Sequence, residues 1–345
     1  MIPSNLTVTC LGDAEENEWD HFVYAQTDAT FFHLSDWRRI IEEVFGHRTH
    51  FFLARRGGNI VGVLPLAEIK SILFGHSLIS LPFCVYGGSV GDPEAIDVLD
   101  AEAVRLGKSL GVEHLELRQL RTRHSNWAQQ NLYATFRKPI SADDDQNMLA
   151  IPRKQRAMVR KGIKNGLISQ EDADVERFFA LYSDNVLRHG TPALPKRFFK
   201  KLFNVFGEHC RVLTVTDSGG RPLSSVLSFY FRNEVLPYYA GDDFSGRELA
   251  ANDFKYWELM RRSASEGIAL FDYGRSKVGT GPYNFKKNWG FDPQPLAYEY
   301  RLFKRDSIPQ NNPLNPKYRA FIALWKRLPL PVANVIGPHI VRNLG

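Results

Sequence analysis

The chain has few cysteines and no long apolar run, and both shortages exclude whole classes of protein. Its 345 residues include three cysteines, Cys10, Cys84 and Cys210, which match neither a metal-ligand spacing nor a disulfide framework. No apolar stretch approaches the roughly 20 residues that a membrane-spanning helix needs. The first residues lack the basic region and apolar core of a secretory signal peptide. We therefore expect a cytoplasmic protein without a metal site.

The motifs of several common enzyme classes are also missing. The sequence contains no GxSxG, no P-loop and no strand-linked GxGxxG. His47 and His50 have no cysteine or carboxylate close in sequence, so a zinc site there is not expected. These absences argue against a serine hydrolase, a P-loop nucleotidase and a dinucleotide-binding enzyme.

Positive charge is concentrated in one segment. The net charge is +6, and residues 151–170, here called the basic segment, carry six lysines and arginines and no acidic residue. Four of these cations recur at steps of three and four, so a helix would carry them on one side. Such a face either binds an anionic carrier or is only solvated, and both interpretations remain open. The candidate carrier-binding residues are Arg153, Lys154, Arg156 and Arg160.

The same order of elements occurs twice along the chain. Each half is predicted as helix, hairpin, strand, helix and strand. In the first half these span 35–46, 50–69, 78–86, 92–110 and 114–117, and in the second half 194–206, 212–231, 235–239, 250–266 and 268–271. Glycines end matching elements at similar offsets, as in Gly46 with Gly207 and Gly58 with Gly220. The repetition indicates an internal duplication.

The duplication predicts an α/β (α+β) protein of two tandem domains, each a mixed sheet flanked by helices. We expect an N-terminal domain over 1–145, a C-terminal domain over 146–308 that includes one more strand at 297–303, and a helical tail over 309–345. The tail has an apolar face that includes Phe321, Leu324 and Trp325 beside basic residues. It either docks on its own domain or lies on a membrane surface.

Residues 272–291, here called the lysine segment, contain more specialised residues than a structural loop needs. Asp272 opens the segment, four glycines follow, and three aromatic residues flank Lys286 and Lys287. Glycines let the backbone approach a ligand closely. A glycine-rich hairpin with solvated lysines is the structural alternative. The first half has Glu116 to Gln119 where Asp272 begins and no equivalent of the lysines, so it is predicted to be non-catalytic.

Two stretches resemble a known family. Residues 151–162, IPRKQRAMVRKG, resemble the basic helix that opens the second half of FemAB-like acyltransferases. Residues 271–275, FDYGR, and 283–291, YNFKKNWGF, resemble that family's closing loop, in the subgroup associated with PEP-CTERM/exosortase and exopolysaccharide loci. The resemblance implies tandem domains of the GCN5-related N-acetyltransferase (GNAT) fold. It also implies transfer of an acyl or aminoacyl group onto an amine of a cell-envelope or exopolysaccharide precursor.

The resemblance leaves the acyl donor open. The sequence has no long heptad segment that would form the inserted helical hairpin of the tRNA-using members. It also lacks the Q/R-x-x-G-x-G/A loop by which typical acetyltransferases hold coenzyme A. The expected donor is acyl-CoA, acyl carrier protein or aminoacyl-tRNA, with no permanently bound cofactor.

The resemblance also assigns roles within the lysine segment. Lys286, preceded by Phe285, matches the family's lysine implicated in transfer, and a cation in a partly desolvated pocket stabilises an oxyanion strongly. Asp272 is either a base for the amine or a structural group that pairs with Arg275 or caps backbone. The further candidates for substrate binding are Tyr239, Asn252, Arg275, Tyr283, Lys287 and Trp289.

Two other functions stay open beside the main hypothesis, and a third is disfavoured. One is an acyl-CoA- or acyl-carrier-protein-dependent N-acyltransferase acting on an amino sugar. Another is a non-catalytic scaffold that binds a glycan precursor for export. DNA or RNA binding is disfavoured, because the basic segment has no aromatic stacking platform beside it. The expected partners are the donor carrier, the precursor and, through the tail, the inner-membrane surface.

Overall fold

The structure is a computed structural model that describes residues 6–72, 74–309 and 316–343, with the side chains of 316–320 left out. The strands, in chain order, are β1 (Leu6–Cys10), β2 (Arg48–Arg56), β3 (Asn59–Ser71), β4 (Gly75–Ile79), β5 (Val90–Gly91), β6 (His114–Gln119), β7 (Ala128–Gln130), β8 (Tyr133–Pro139), β9 (Ile168–Glu171), β10 (Cys210–Thr216), β11 (Pro222–Phe231), β12 (Glu234–Asp242), β13 (Leu270–Asp272), β14 (Ser276–Lys277), β15 (Pro293–Pro295) and β16 (Ala297–Leu302). The helices are α1 (Glu16–Ala25), α2 (Asp36–Ile40, continued by a π-helical turn Ile41–Phe45), α3 (Pro93–Leu110), α4 (Asp144–Ala150), α5 (Arg153–Lys164), α6 (Glu176–His189), α7 (Lys196–Phe206), α8 (Ala251–Ser265), α9 (Gly281–Asn288), α10 (Pro316–Trp325) and α11 (Leu330–Val341).

The two sheets have the same strand order and the same directions. The first runs β1-β2-β3-β4-β6-β16-β7, and the second, in the corresponding order, runs β9-β10-β11-β12-β13-β8-β14. Along each path one neighbouring pair is parallel, β4 with β6 in the first sheet and β12 with β13 in the second. The predicted fold class and internal duplication are therefore confirmed.

The halves exchange one strand each, which corrects the predicted domain boundaries. The first compact unit comprises Met1–Leu132, Pro295–Gln310 and Arg342–Gly345, and the second comprises Tyr133–Gln294 and Asn311–Val341. Strand β8 pairs with β13 and β14 of the second sheet, although it lies inside the predicted N-terminal domain of 1–145. Strand β16 pairs with β6 and β7 of the first sheet, although it was predicted within the C-terminal domain of 146–308.

Each sheet buries an apolar face under long helices. Helix α3 begins at Pro93, which suits the first helical turn, and ends before Gly111 at φ 68°, a left-handed conformation that glycine adopts without strain. Its inner residues Ala95, Leu99 and Ala103 recur every four positions and pack with the first sheet's core. In the second unit Trp257, Leu259 and Met260 of α8 pack into one core with residues of β8, β11 and β13.

Two parts of the first unit differ from the predictions. The strand predicted over 78–86 ends at Ile79, because Leu81 (φ 60°) and Phe83 (φ 67°) lie in the left-handed region on either side of Pro82. Strand β1 and helix α1 lie in the first 30 residues, where no element was predicted.

The tail docks on the second unit, as one of its two interpretations expected. Trp325 at the end of α10 and Ala333 on α11 are buried beside Leu187 of α6. The predicted tail, 309–345, includes residues 310–315 and 344–345, which lie outside the described part of the chain.

Candidate active site

The second sheet opens between its parallel strands. Strands β12 and β13 pair only through Glu234 with Leu270 and Val235 with Phe271. Strand β12 continues to Asp242, while β13 ends at Asp272 and leads into the lysine segment. Parallel pairing therefore stops after two residues, while β12 runs on from Val235 to Asp242 beside β11.

The lysine segment contains a helix, α9, where the sequence predicted a loop. Thr280 has extended N-cap geometry, and Pro282 lies in the first turn, where its missing N–H costs nothing. Lys286 therefore projects from a helix, and its Nζ reaches back to the loop after β13. It donates to the carbonyl oxygens of Tyr273 (2.6 Å), Gly274 (3.0 Å) and Arg275 (3.2 Å).

Lys286 is a half-buried cation among aromatic rings. Its Nζ lies 5.5 Å from the ring centroid of Phe136 and 5.9 Å from that of Tyr273. Burial lowers the pKa of the ammonium to about 7, the nearby Asp272 carboxylate raises it, and Arg275 lowers it further. The three carbonyls favour the charged form. Lys286 can therefore change its protonation state near neutral pH.

Asp272 is fully buried and makes structural contacts. One carboxylate oxygen accepts a hydrogen bond from the backbone N–H of Gly274 (2.7 Å) and another from the Thr135 hydroxyl (3.2 Å). The other oxygen lies 3.3 Å from Nε of Arg137. Of the two predicted roles, these contacts fit the cap on the backbone, with Arg137 as an ion-pair partner. The guanidinium of Arg275 lies over the Tyr133 ring, 4.7 Å from its centroid.

Trp289 was predicted to bind substrate, and the structure contradicts this. Its side chain is completely buried, and its Nε1 donates to Oδ1 of Asp253 at 3.0 Å. The same oxygen accepts from the side-chain amide of Gln155 at 3.1 Å. Asp253 on α8 therefore ties the lysine helix α9 to the basic helix α5. Phe285 is half-buried and packs with Trp289 at a centroid distance of 6.0 Å.

The remaining predicted substrate residues have partly or fully exposed side chains in the second unit. Tyr283 meets the Phe136 ring edge-on at 5.2 Å, and the exposed Lys287 lies over the Tyr283 ring at 5.9 Å. Tyr239 on β12 packs among aromatic residues of α6 and α7, such as Phe199 at 5.2 Å. Asn252 lies in the first turn of α8 and is half-buried.

The basic segment forms helix α5 as predicted, but one of its cations has a structural role. Arg153, Lys154 and Arg160 are exposed, opposite a buried face that contains Gln155, Val159 and Gly162. The guanidinium of Arg156 instead donates to the carbonyl oxygens of Leu149 and Ile151 at 2.8–3.2 Å. These bonds hold the turn before α5, so part of the Arg156 guanidinium is engaged by the backbone.

The corresponding opening of the first unit is filled by protein. Arg118 on β6 is 3% exposed, and its guanidinium donates to the carbonyl oxygens of Leu81 and Cys84 and to the Glu116 carboxylate. Its backbone N–H donates to the Ser80 hydroxyl, and its carbonyl accepts from the N–H of Gly88. The segment after β4 therefore occupies the place that stays open after β12.

Two site residues were missed because they lie on β8. Phe136 forms part of the wall around Lys286, and Thr135 holds Asp272. The run of residues 133–136, YATF, has the β-branched and aromatic composition of a strand, but no local signal tells which sheet it joins. Tyr256 of α8, 5.7 Å from Phe285 and 4.9 Å from Tyr273 between ring centroids, was also missed.

A surface groove lies elsewhere on the second unit. Its volume is about 440 Å³, and it is lined by Glu176, Arg177, Ala180, Leu181, Asp184, Pro222 and Asp243. None of these lining residues belongs to the predicted site. Among the described residues, no three histidine, cysteine, aspartate or glutamate side chains are grouped so as to hold a metal ion. No helix in the described part of the chain is both long and apolar enough to cross a membrane.

Comparison with known proteins shows the fold of this site. Residues 151–287 match the acetyltransferase (GNAT) domain family. That match contains α5, both strands of the opening and Lys286. No curated protein sequence matches the chain at a significant level.

Solved structures resemble the chain over most of its length. A crystal structure of FemX has a TM-score of 0.68 at 15% identity, covering 86% of this chain and 98% of that one. The C-terminal domain of a lysylphosphatidylglycerol synthetase from Agrobacterium fabrum has a TM-score of 0.57 at 14% identity, covering 84% and 92%. A tandem GNAT protein from the clavulanic acid biosynthesis pathway has a TM-score of 0.55 at 12% identity, covering 88% and 100%. These similarities show a tandem GNAT-type fold.

Proposed function

We propose that this protein is a FemAB-like acyltransferase that moves an acyl or aminoacyl group onto an amine of a cell-envelope or exopolysaccharide precursor. The observation that carries the proposal is the placement of Lys286, a half-buried cation beside the open parallel pair of a GNAT-type domain. The folds shared with FemX and the lysylphosphatidylglycerol synthetase domain support acyl or aminoacyl transfer in general. The motifs of 151–162, 271–275 and 283–291 support the PEP-CTERM-associated subgroup. The basic and apolar tail supports a location at the cytoplasmic side of the inner membrane.

In this proposal the reaction proceeds by direct attack. The neutral amine attacks the donor's carbonyl carbon, and the C–N bond forms as the carbonyl oxygen becomes an oxyanion. Lys286 stabilises that oxygen by its charge, and it exchanges its longest bond, to the Arg275 carbonyl at 3.2 Å, for the oxyanion. The C–O or C–S bond to the carrier then breaks, and the amine's proton leaves with the carrier or to water.

The exposed cations of α5 are the proposed contact for the donor's anionic carrier. Arg153, Lys154 and Arg160 lie on one solvent-facing side of a helix that has no acidic residue. The helix is connected to the lysine helix through Asp253, which binds Gln155 and Trp289. A carrier bound there would therefore be linked to the lysine helix through the hydrogen bonds of Asp253.

A second candidate function is N-acylation of an amino sugar from acyl-CoA or acyl carrier protein. The match of 151–287 to the acetyltransferase domain family favours this donor class. The two candidates share the amine acceptor and the role of Lys286, and they differ in the carrier.

A donor panel distinguishes these possibilities. The purified chain is incubated with acyl-CoA, acyl carrier protein or aminoacyl-tRNA and a mixture of amine acceptors, and donor consumption is measured. We expect turnover with one donor, and a loss of about 10²–10³-fold for Lys286→Ala, the usual effect of removing one oxyanion donor. Lys287→Ala is the control, because Lys287 is the adjacent exposed cation on the same helix.

Equal losses for the two variants would contradict the assigned role of Lys286. No turnover with any donor, together with tight binding of a precursor, would instead support the non-catalytic scaffold.

A further inference from the structure

The tail helices pack on the second unit through small and aromatic residues. Trp325 is 4% exposed and Ala333 is 3% exposed. Gly337 lies against the backbone of Ala193, where an added Cβ would come within 3.2 Å of its N atom. Ala333 and Gly337 are one helical turn apart, so α11 presents a small-residue face to the body of the unit.

Both tail helices also expose apolar side chains, which is unusual for outer helices. Val332, Val335 and Ile336 of α11 are 41%, 68% and 42% exposed. On α10, Phe321 and Leu324 are 37% and 66% exposed. A surface helix normally turns polar residues to solvent. We call these five side chains the tail face.

Cations border the tail face. Lys326 and Arg327, in the turn between α10 and α11, are both exposed. The stem of Lys326 lies against Gly190, at the end of α6. Apolar and basic surface is thus combined at one end of the unit.

We propose that the tail face is a docking surface for an anionic phospholipid bilayer. The exposed valine, isoleucine, leucine and phenylalanine side chains would enter the interfacial region, and Lys326 and Arg327 would contact lipid phosphates. Helix α11, Leu330–Val341, is about 18 Å long at 1.5 Å per residue. That is shorter than the roughly 30 Å hydrocarbon core, so the helix would lie in the interface plane.

The charges favour lipid over a second copy of the chain. In a symmetric dimer two copies of this positively charged surface would share one interface, and their like charges would oppose the contact. An anionic bilayer complements both the apolar and the cationic residues.

Vesicle flotation of the full-length protein tests the proposal. We expect flotation with vesicles that contain phosphatidylglycerol and much less with pure phosphatidylcholine. Val335→Asp should weaken binding at least about tenfold, because it places a carboxylate in the apolar contact beside anionic lipid. The matched control is Leu149→Asp on α4, since Leu149 is 65% exposed and undergoes the same charge change. Removing Lys326 and Arg327 should reduce binding about fivefold for each cation.

The proposal is overturned if the unmodified protein does not float with anionic vesicles, or if Val335→Asp floats as well as Leu149→Asp. Thermal unfolding of both variants checks that the fold is intact. If sedimentation velocity shows a dimer that Val335→Asp dissociates, and flotation is not seen, the tail face is a self-contact. The test uses neither donor nor acceptor, so its outcome is independent of the proposed reaction.

Discussion

Lys286 and Asp272 fix the geometry of one loop from its two sides. The ammonium binds the carbonyl oxygens of residues 273–275, and the carboxylate binds the N–H of Gly274. In the backbone after β13, three carbonyl oxygens therefore bind the Lys286 ammonium, and the Gly274 N–H binds the Asp272 carboxylate. Side chains with rotatable bonds become precise catalytic groups only when such contacts limit their motion.

The lowered pKa of Lys286 predicts how activity depends on pH. Because the ammonium is the active form in the proposed mechanism, kcat/KM should fall as the pH rises through about 7, the pKa of Lys286 in the folded protein. Lys286→Arg should remove that decline, since an arginine stays charged. The measurement is a pH–rate profile of both proteins with the best donor.

The pH dependence of the free energy of unfolding measures the pKa of Lys286 independently of activity. Between about pH 7 and the ordinary lysine value of 10.5 the unfolded chain binds a proton that the folded chain does not. The free energy of unfolding should therefore rise with pH across that window, relative to Lys286→Gln. Parallel stability curves for the two proteins would show that the lysine titrates normally.

The hydrogen bonds of Asp253 predict that its replacement lowers the stability of the fold. Replacing it with alanine leaves the indole N–H of Trp289 and the amide of Gln155 without their shared acceptor in a buried site. We expect a loss of about 1–3 kcal/mol in the free energy of unfolding, measured by urea denaturation. Glu248→Ala, at an exposed acid three residues before α8, should change it by less than about 0.5 kcal/mol.

At the scale of elements, two glycines set the helix positions around the opening. Gly162 lets α5 approach α8, since an added Cβ would lie 2.7 Å from the Cβ of Phe254. Gly241 near the end of β12 lets α6 approach the sheet, since an added Cβ would lie 2.2 Å from the backbone N of Tyr182. The close approach brings aromatic residues of α6 toward Tyr239.

Gly241→Ala should therefore displace α6 from β12. We expect destabilisation of about 1–3 kcal/mol by overpacking, because the opposing atoms are backbone and cannot move aside. The control is Gly281→Ala at the start of α9, where no atom lies within 4 Å of the added Cβ and φ is not positive. Thermal unfolding of the two variants measures the difference, and equal melting temperatures would contradict the close contact.

At the scale of the whole molecule, the exchanged strands make each half depend on the other. Strand β8 supplies Phe136 and Thr135 to the second unit, and β16 completes the first sheet. The first unit keeps the duplicated sheet but fills the opening with Arg118. Duplication thus yields one open unit and one closed unit.

The exchange of β8 and β16 between the halves predicts which fragments of the chain remain soluble. A fragment that begins at residue 146 lacks β8 and leaves the edge of β13 exposed, so we expect aggregation. A fragment that begins at Tyr133 keeps that strand and should remain more soluble. Centrifugation and far-UV circular dichroism of the two fragments provide the comparison. Equal solubility would show that β8 is dispensable for the second sheet.

The sequence by itself determined the elements that depend on local patterning. Periodic apolar residues and glycine stops predicted α3, α7 and α8 to within a few residues. The spacing of the cations indicated α5, and the repeated order predicted the duplication. The position of Lys286 between aromatic residues also marked the candidate site. These features depend on residues close together in the chain, so a one-dimensional pattern records them.

Tertiary structure decided everything that depends on pairing over long sequence distances. The assignment of β8 and β16 to opposite sheets, the burial of Trp289 and the bonds from Arg156 to backbone carbonyls follow from partners that no local pattern specifies. The four glycines of the lysine segment predicted a loop, yet its middle is helical because α9 packs Trp289 into the core. Burial and partner choice are properties of the folded chain, and they determine which cations bind backbone and which face solvent.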